Sequence, residues 1–130
     1  MKRRTHLKAL LLASLGMSQS QAQAKAAKPI HLFVEMDVDP AREKEMLNNF
    51  HKVFVPEAKK HPGYISVRLM KFRQVMQGNI TTANYRFELE FESEELRQKW
   101  INSDVHKEVW PTIENTLVNK NYTVLLFDSI

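Results

Sequence analysis

A chain of 130 residues that is 43% hydrophobic has material for one compact domain. With no cysteine it builds no disulfide framework, thiolate metal site or cysteine nucleophile, so any chemistry falls to histidines, carboxylates and aromatics. The formal charge of +4 is concentrated at the start: residues 1–24 hold four of the 19 Lys and Arg and none of the 15 Asp and Glu. Without that segment the chain is balanced, which removes the basic surplus that nucleic-acid binding requires.

The first segment reads as a cleaved export signal. Lys2, Arg3, Arg4 and Lys8 precede the apolar run Ala9 to Leu15, and Ala22-Gln23-Ala24 offers small residues at the spacing a signal peptidase needs. Arg3-Arg4-Thr5-His6-Leu7-Lys8 resembles a twin-arginine signal, which implies bacterial export to the periplasm or beyond; an ordinary secretory signal is the alternative. Residues 25–29 are then a short leader and residues 30–130 the domain. No later apolar run is long enough for stable insertion in a bilayer.

Ile30 to Val38 alternates Ile30, Leu32, Val34, Met36 and Val38 against His31, Phe33, Glu35 and Asp37, the period of a half-buried strand. Asp39 followed by Pro40 predicts a helix start. Leu47, Phe50, Val53 and Phe54 give that helix an apolar stripe, Pro56 is expected to bend its last turns, and Pro62-Gly63 to end it. The second strand is predicted over Tyr64 to Phe72, with Ile65, Val67 and Leu69 on one face and Tyr64, Ser66, Arg68 and Met70 on the other. Residues 73–83 form a loop longer than a tight hairpin requires.

Strand three, Asn84 to Glu92, sets Tyr85, Phe87, Leu89 and Phe91 against Arg86, Glu88, Glu90 and Glu92. Ser93 is placed to cap the next helix, whose first turn carries Glu94 and Glu95 and whose inner side carries Leu96, Trp100 and Ile101. Asn102-Ser103-Asp104 interrupts and recaps the chain; Val105, Val109, Ile113 and Leu117 continue an apolar stripe that Pro111 is expected to kink. Tyr122 to Ser129 is the last strand.

Strand, helix, strand, strand, helix, strand is the ferredoxin-like α+β order, a four-stranded antiparallel sheet with both helices on one face. The other face mixes Phe33, Leu125 and Phe127 with Glu35, Arg68, Arg86 and Glu88, too apolar for free solvent, so a second copy of the sheet is its economical cover. Glu35 with Arg86, and Arg68 with Glu88, are expected to pair across neighbouring strands.

Over nearly all of the mature length the chain resembles the antibiotic biosynthesis monooxygenase domain family, the dimeric α+β barrels. The resemblance rests on size, element order, Pro62-Gly63-Tyr64 before strand two, and Phe91-Glu92-Ser93-Glu94-Glu95 running into Ser103-Asp104-Val105-His106. It implies a homodimer. The family spans cofactor-free oxygenases, haem-degrading enzymes and members without a known reaction, so fold is implied more firmly than activity.

In the cofactor-free reading a phenol or hydroquinone is deprotonated in a dry pocket and its anion reacts with dioxygen. His106 is the candidate base, Trp100, Trp110 and Phe33 the candidate walls for a small aromatic molecule, and Asn102 a candidate donor to a developing oxyanion. The competing reading makes both tryptophans helix core and His106 a surface or capping residue in a non-catalytic ligand-binding or structural homodimer. The haem-degrading branch uses an Asn on strand one and a His ten residues after its helix Trp. Here strand one has no Asn, and the tenth residue after Trp100 is Trp110. His31, His51, His61 and His106 show no paired spacing, so no metal site is expected.

Overall fold

The computed structural model describes residues 28–79 and 82–130; the export-signal reading of residues 1–24 lies outside them. Strand β1 (Ile30–Met36) alternates as expected, with Ile30, Leu32, Val34 and Met36 buried and His31, Phe33 and Glu35 half-buried. It ends earlier than the sequence pattern. Val38, fully buried, makes an isolated antiparallel bridge to Leu117, and the Asn84 side chain stands in for a strand beside it: Val38 N–H donates to Asn84 Oδ1 (2.7 Å) and Asn84 Nδ2 donates to the Val38 carbonyl (2.9 Å).

Asp39 accepts from Ala41 N–H and opens a 3₁₀ turn, Pro40–Arg42, that leads into α1 (Glu43–Asn49). A π-helical turn, Phe50–Phe54, joins α1 to α2 (Val55–Lys59). The expected distortion from Pro56 therefore takes the form of a π turn just before it, and α2 itself stays helical. Proline offers no N–H to Lys52 and crowds its carbonyl; the turn before it widens, and Val55 N–H reaches back five residues to the Phe50 carbonyl. Both Phe50 and Phe54 stay buried, stacked at 5.8 Å. The chain leaves the helix through Gly63 at φ +91°, where an added Cβ would lie 2.6 Å from Leu96 Cδ1.

β2 (Tyr64–Lys71) departs from the predicted face assignment. Tyr64 pairs with Phe91 and Ser66 with Glu90, so Ile65 is the extra residue of a bulge. The bulge resets the alternation: Tyr64 joins Val67 and Leu69 against the core, and Ile65 is 40% exposed. β3 (Tyr85–Phe91), α3 (Glu94–Ile101), α4 (Asp104–Glu114) and β4 (Thr123–Asp128) complete the chain. The sheet order is β2-β3-β1-β4, all antiparallel, the expected ferredoxin-like arrangement. Pro111 does not divide α4, which runs as one helix from Asp104 to Glu114. No helix among the described residues is long and apolar enough to cross a membrane.

The core lies between one face of the sheet and the helices, where Phe87, Leu89 and Phe91 meet Met46, Phe50, Phe54, Trp100 and Ile113. On the other face both expected ion pairs form: Arg86 with Glu35, and Arg68 with Glu88, each directly opposite in register. Beside them Phe33 meets Phe127 edge to face at 5.4 Å and carries the Arg86 guanidinium 5.6 Å above its ring. β4 is the exposed edge, with Leu125 at 38% and Phe127 at 53% exposure.

Candidate functional site: an apolar cavity under two tryptophans

Two serine caps build this site. Ser93 accepts from Leu96 N–H (3.2 Å) and starts α3 with Glu94 and Glu95 in its first turn, which puts Trp100 one face inward, 1% exposed. Ser103 then does two jobs at the break. Its hydroxyl donates to the Trp100 carbonyl (2.7 Å) and accepts from His106 N–H (3.1 Å), tying the end of one helix to the start of the next. The His106 ring consequently meets Trp100 edge to face at 5.1 Å and lies nearly parallel to Trp110, 6.4 Å away at 16°.

These three rings border a cavity of about 160 Å³. Its floor is the sheet, through Leu32 and Val34 of β1, Phe87 and Leu89 of β3 and Val124 of β4. Phe54 and Ile101 close it from the helices. Polar atoms are scarce: His106, Tyr122 and the Trp110 indole N–H bring the side-chain polar groups of the lining. Trp110 Nε1 donates to Tyr122 Oη (3.1 Å), and Tyr122 Oη donates to Glu114 Oε2 (3.0 Å). Burial chiefly, with the Glu114 hydrogen bond adding to it, holds the Tyr122 phenol above its ordinary pKa.

No described residue hydrogen-bonds the His106 imidazole. Burial pushes its pKa below the ordinary value, and the Arg97 charge pushes the same way. It is therefore neutral at pH 7, able to accept a proton at one ring nitrogen. Arg97, itself buried, is held in place by Glu94 through two hydrogen bonds of 2.7 and 2.8 Å.

Of the residues singled out in the sequence, His106, Trp100 and Trp110 come together at this cavity. Asn102 does not: it is the exposed C-terminal cap of α3, outside the lining, because the chain turns away there to start α4. Phe33 lies on the opposite face of the sheet, as do Glu35, Arg68, Arg86 and Glu88, since they occupy the alternate positions of strands whose other face holds the core. The sequence reading passed over Tyr122, which sits just ahead of β4 and meets Trp110 only through the fold. Its one sequence signal is a lone aromatic in a polar turn.

On the open face, His31 Nδ1 lies 2.8 Å from Glu88 and 3.8 Å from Glu90, and its Nε2 is 2.7 Å from Ser129 Oγ. Cross-strand pairing gathers these ligand types where sequence spacing showed none. Each carboxylate is already engaged, Glu88 by Arg68 and Glu90 by Ser66.

No family model and no curated protein matches the chain. Solved structures do. An antibiotic biosynthesis monooxygenase superposes with a TM-score of 0.62 at 13% identity, covering 78% of this chain and 98% of that one. A dimeric ferredoxin-like protein of unknown function from Jannaschia sp. CCS1 gives 0.64 at 14% identity, covering 78% and 98%. SnoaB, a cofactor-independent oxygenase from Streptomyces nogalater, gives 0.55 at 11% identity, covering 77% and 89%. With its four-stranded antiparallel sheet and its helices packed on one face, the chain has the ferredoxin-like α+β fold that solved antibiotic biosynthesis monooxygenases share.

Proposed function

We propose that this protein is a cofactor-independent monooxygenase of a phenol- or quinol-type small molecule, exported from the cell and working as a homodimer. The observation that carries the reading is the neutral His106 imidazole, without a hydrogen-bond partner among the described residues, at the wall of an apolar cavity between two indoles. His106 takes the phenolic proton. The electron-rich anion then adds dioxygen at a ring carbon, and the resulting peroxide anion recovers the proton from His106. Loss of the ring C–H proton with cleavage of the O–O bond gives a quinone and water. One oxygen atom enters the ring, the other leaves as water, and both electrons come from the substrate, so no external reductant is required. The dry lining serves this chemistry because an anion without water around it reacts faster with oxygen and is held by fixed groups.

Oxygen consumption tests the reading directly. With a panel of phenols and hydroquinones, uptake above the uncatalysed rate is expected, and His106→Ala is expected to lower it by about 10²–10⁴-fold, the usual range for a general base. A panel in which nothing reacts, or a variant as fast as the parent, rejects it. One observation favours a ligand carrier without catalysis: Asn102 points away, leaving the lining without an amide donor for an oxyanion. Ligand binding without oxygen uptake is that reading's signature.

The homodimer is supported by the open sheet face, where Phe33, Leu125 and Phe127 lie among ion pairs with no cover from their own chain. Phe127→Asp is expected to shift light scattering from dimer mass to monomer mass. Export is supported by residues 1–24 alone, and replacing Arg3 and Arg4 together by Lys is expected to retain the precursor inside the cell if the route is the twin-arginine one.

A further inference from the structure

We infer that the cavity selects an uncharged, single-ring phenol and excludes both fused-ring and carboxylated aromatics. The inference rests on the proposed function for the identity of the site, and goes beyond it in fixing the ligand's size, charge and hydrogen-bonding sense.

Size comes first. An apolar cavity of about 150 Å³ holds one benzene ring. The cavity here measures about 160 Å³, opens to solvent beside Val124, and is walled on its buried side by Phe54, Phe87 and Trp100, which are 1–2% exposed and locked against one another at centroid distances of 5.7 to 5.9 Å. On that side the close-packed aromatic walls do not yield to a fused second ring without displacing a core side chain, so a second ring is left at the open mouth.

Charge and hydrogen bonding narrow the class further. No Lys or Arg belongs to the lining, the Arg97 charge that acts on His106 is already paired with Glu94, and Glu114 stands behind Tyr122, so a ring carboxylate would find no free counter-ion. The Tyr122 hydroxyl already receives the Trp110 N–H and gives its own proton to Glu114, leaving only a lone pair. What it can take from a ligand is a donated hydrogen. His106, neutral, can likewise accept one. Tyr122 thus favours a ligand hydroxyl over an acceptor-only group, while His106, with one bare nitrogen and one N–H, pairs with either.

Trp100 and Trp110 supply the readout, because a ring entering between them quenches their fluorescence. The experiment titrates the full-length protein under nitrogen, where no turnover occurs, with phenol, hydroquinone, 1-naphthol and 4-hydroxybenzoate. Phenol and hydroquinone are expected to bind at least tenfold more tightly than the other two. Val124→Phe, at a position 50% exposed on β4 that faces the cavity, should plug it and abolish phenol binding while leaving thermal unfolding unchanged. Ile101→Ala should admit 1-naphthol. The inference is overturned if 1-naphthol or 4-hydroxybenzoate binds as tightly as phenol, if phenol does not bind, or if Val124→Phe binds phenol like the parent. Selective binding without oxygen uptake in air would remove the oxygenase reading and leave this one standing. Oxygen uptake with naphthols alone would do the reverse.

Discussion

Along β3, Phe87 and Leu89 point one way and Arg86 and Glu88 the other, and the two faces they belong to are built on different physics. The first face is covered by aromatic packing: Phe87 touches the rings of Phe50, Phe54 and Trp110, and the space left over is a half-open apolar cavity with His106 at its wall. The second holds a row of cross-strand charges and a Phe33–Phe127 contact still open to solvent. A buried face draws its stability from area removed from water and from close packing. A face of ion pairs whose arginines reach into solvent draws less, and its apolar patches stay uncovered by their own chain. One sheet thereby separates the proposed chemical site from the proposed assembly surface.

Substitutions on the two faces should differ most at the aromatic positions. Phe87→Ala is expected to destabilise the fold by about 3–5 kcal/mol, read from urea unfolding, whereas Phe33→Ala should leave the unfolding of the monomer nearly unchanged and act on dimer dissociation. Equal losses for both would erase the distinction. Ser103→Ala, which removes the cap joining α3 to α4, should cost about 1 kcal/mol and broaden the His106 ring resonances in NMR as the hinge loosens; an unchanged resonance would mean that packing alone sets the ring. On the open face, a double-mutant cycle on Glu35 and Arg86 should return a coupling of about 0.2–1 kcal/mol that fades with salt.

The subtlest contrast is in pH. The folded protein binds a proton at His106 less readily than the unfolded chain does, because burial and Arg97 disfavour the charged ring. Stability is thus unaffected above the ordinary histidine range and falls as pH drops from about 6.5 toward the lowered folded value. On the open face Glu88, drawn below its ordinary value first by Arg68 and then by His31, keeps its stabilising contribution until the carboxylate range. His106→Gln should flatten the pH slope near 6 and leave the acid limb intact. A parent protein with no slope there would show that the ring is solvated.

Element order, the Ser93 cap, a recapping within Asn102-Ser103-Asp104 and the core face of β1 and β3 were legible from residues alone, because alternation and capping are local properties set by backbone geometry. So were the pairs Glu35–Arg86 and Arg68–Glu88, once the topology placed their strands side by side. Ile65 was misassigned because a bulge inserts a residue without a sequence signature here, and one residue reverses every side chain before it. Pro56 was rightly seen as a disturbance of the helix's last turns, and the structure shows its form, a π turn at Phe50–Phe54. From the sequence His106 was the candidate base and Asn102 a candidate donor beside it; four residues apart, they part company because the chain turns a corner at Ser103.

What the sequence determined by itself, then, was a pattern of faces: which residues turn inward, where helices begin, and that Trp100, His106 and Trp110 share a broken helix. Only the tertiary structure decided which inward residues enclose empty space and which fill it. Tyr122 meets Trp110, and Val34 of β1 meets the cavity beside Val124 of β4, through contacts between segments far apart in the chain. A cavity is the volume that packed side chains fail to occupy, and no local periodicity records it.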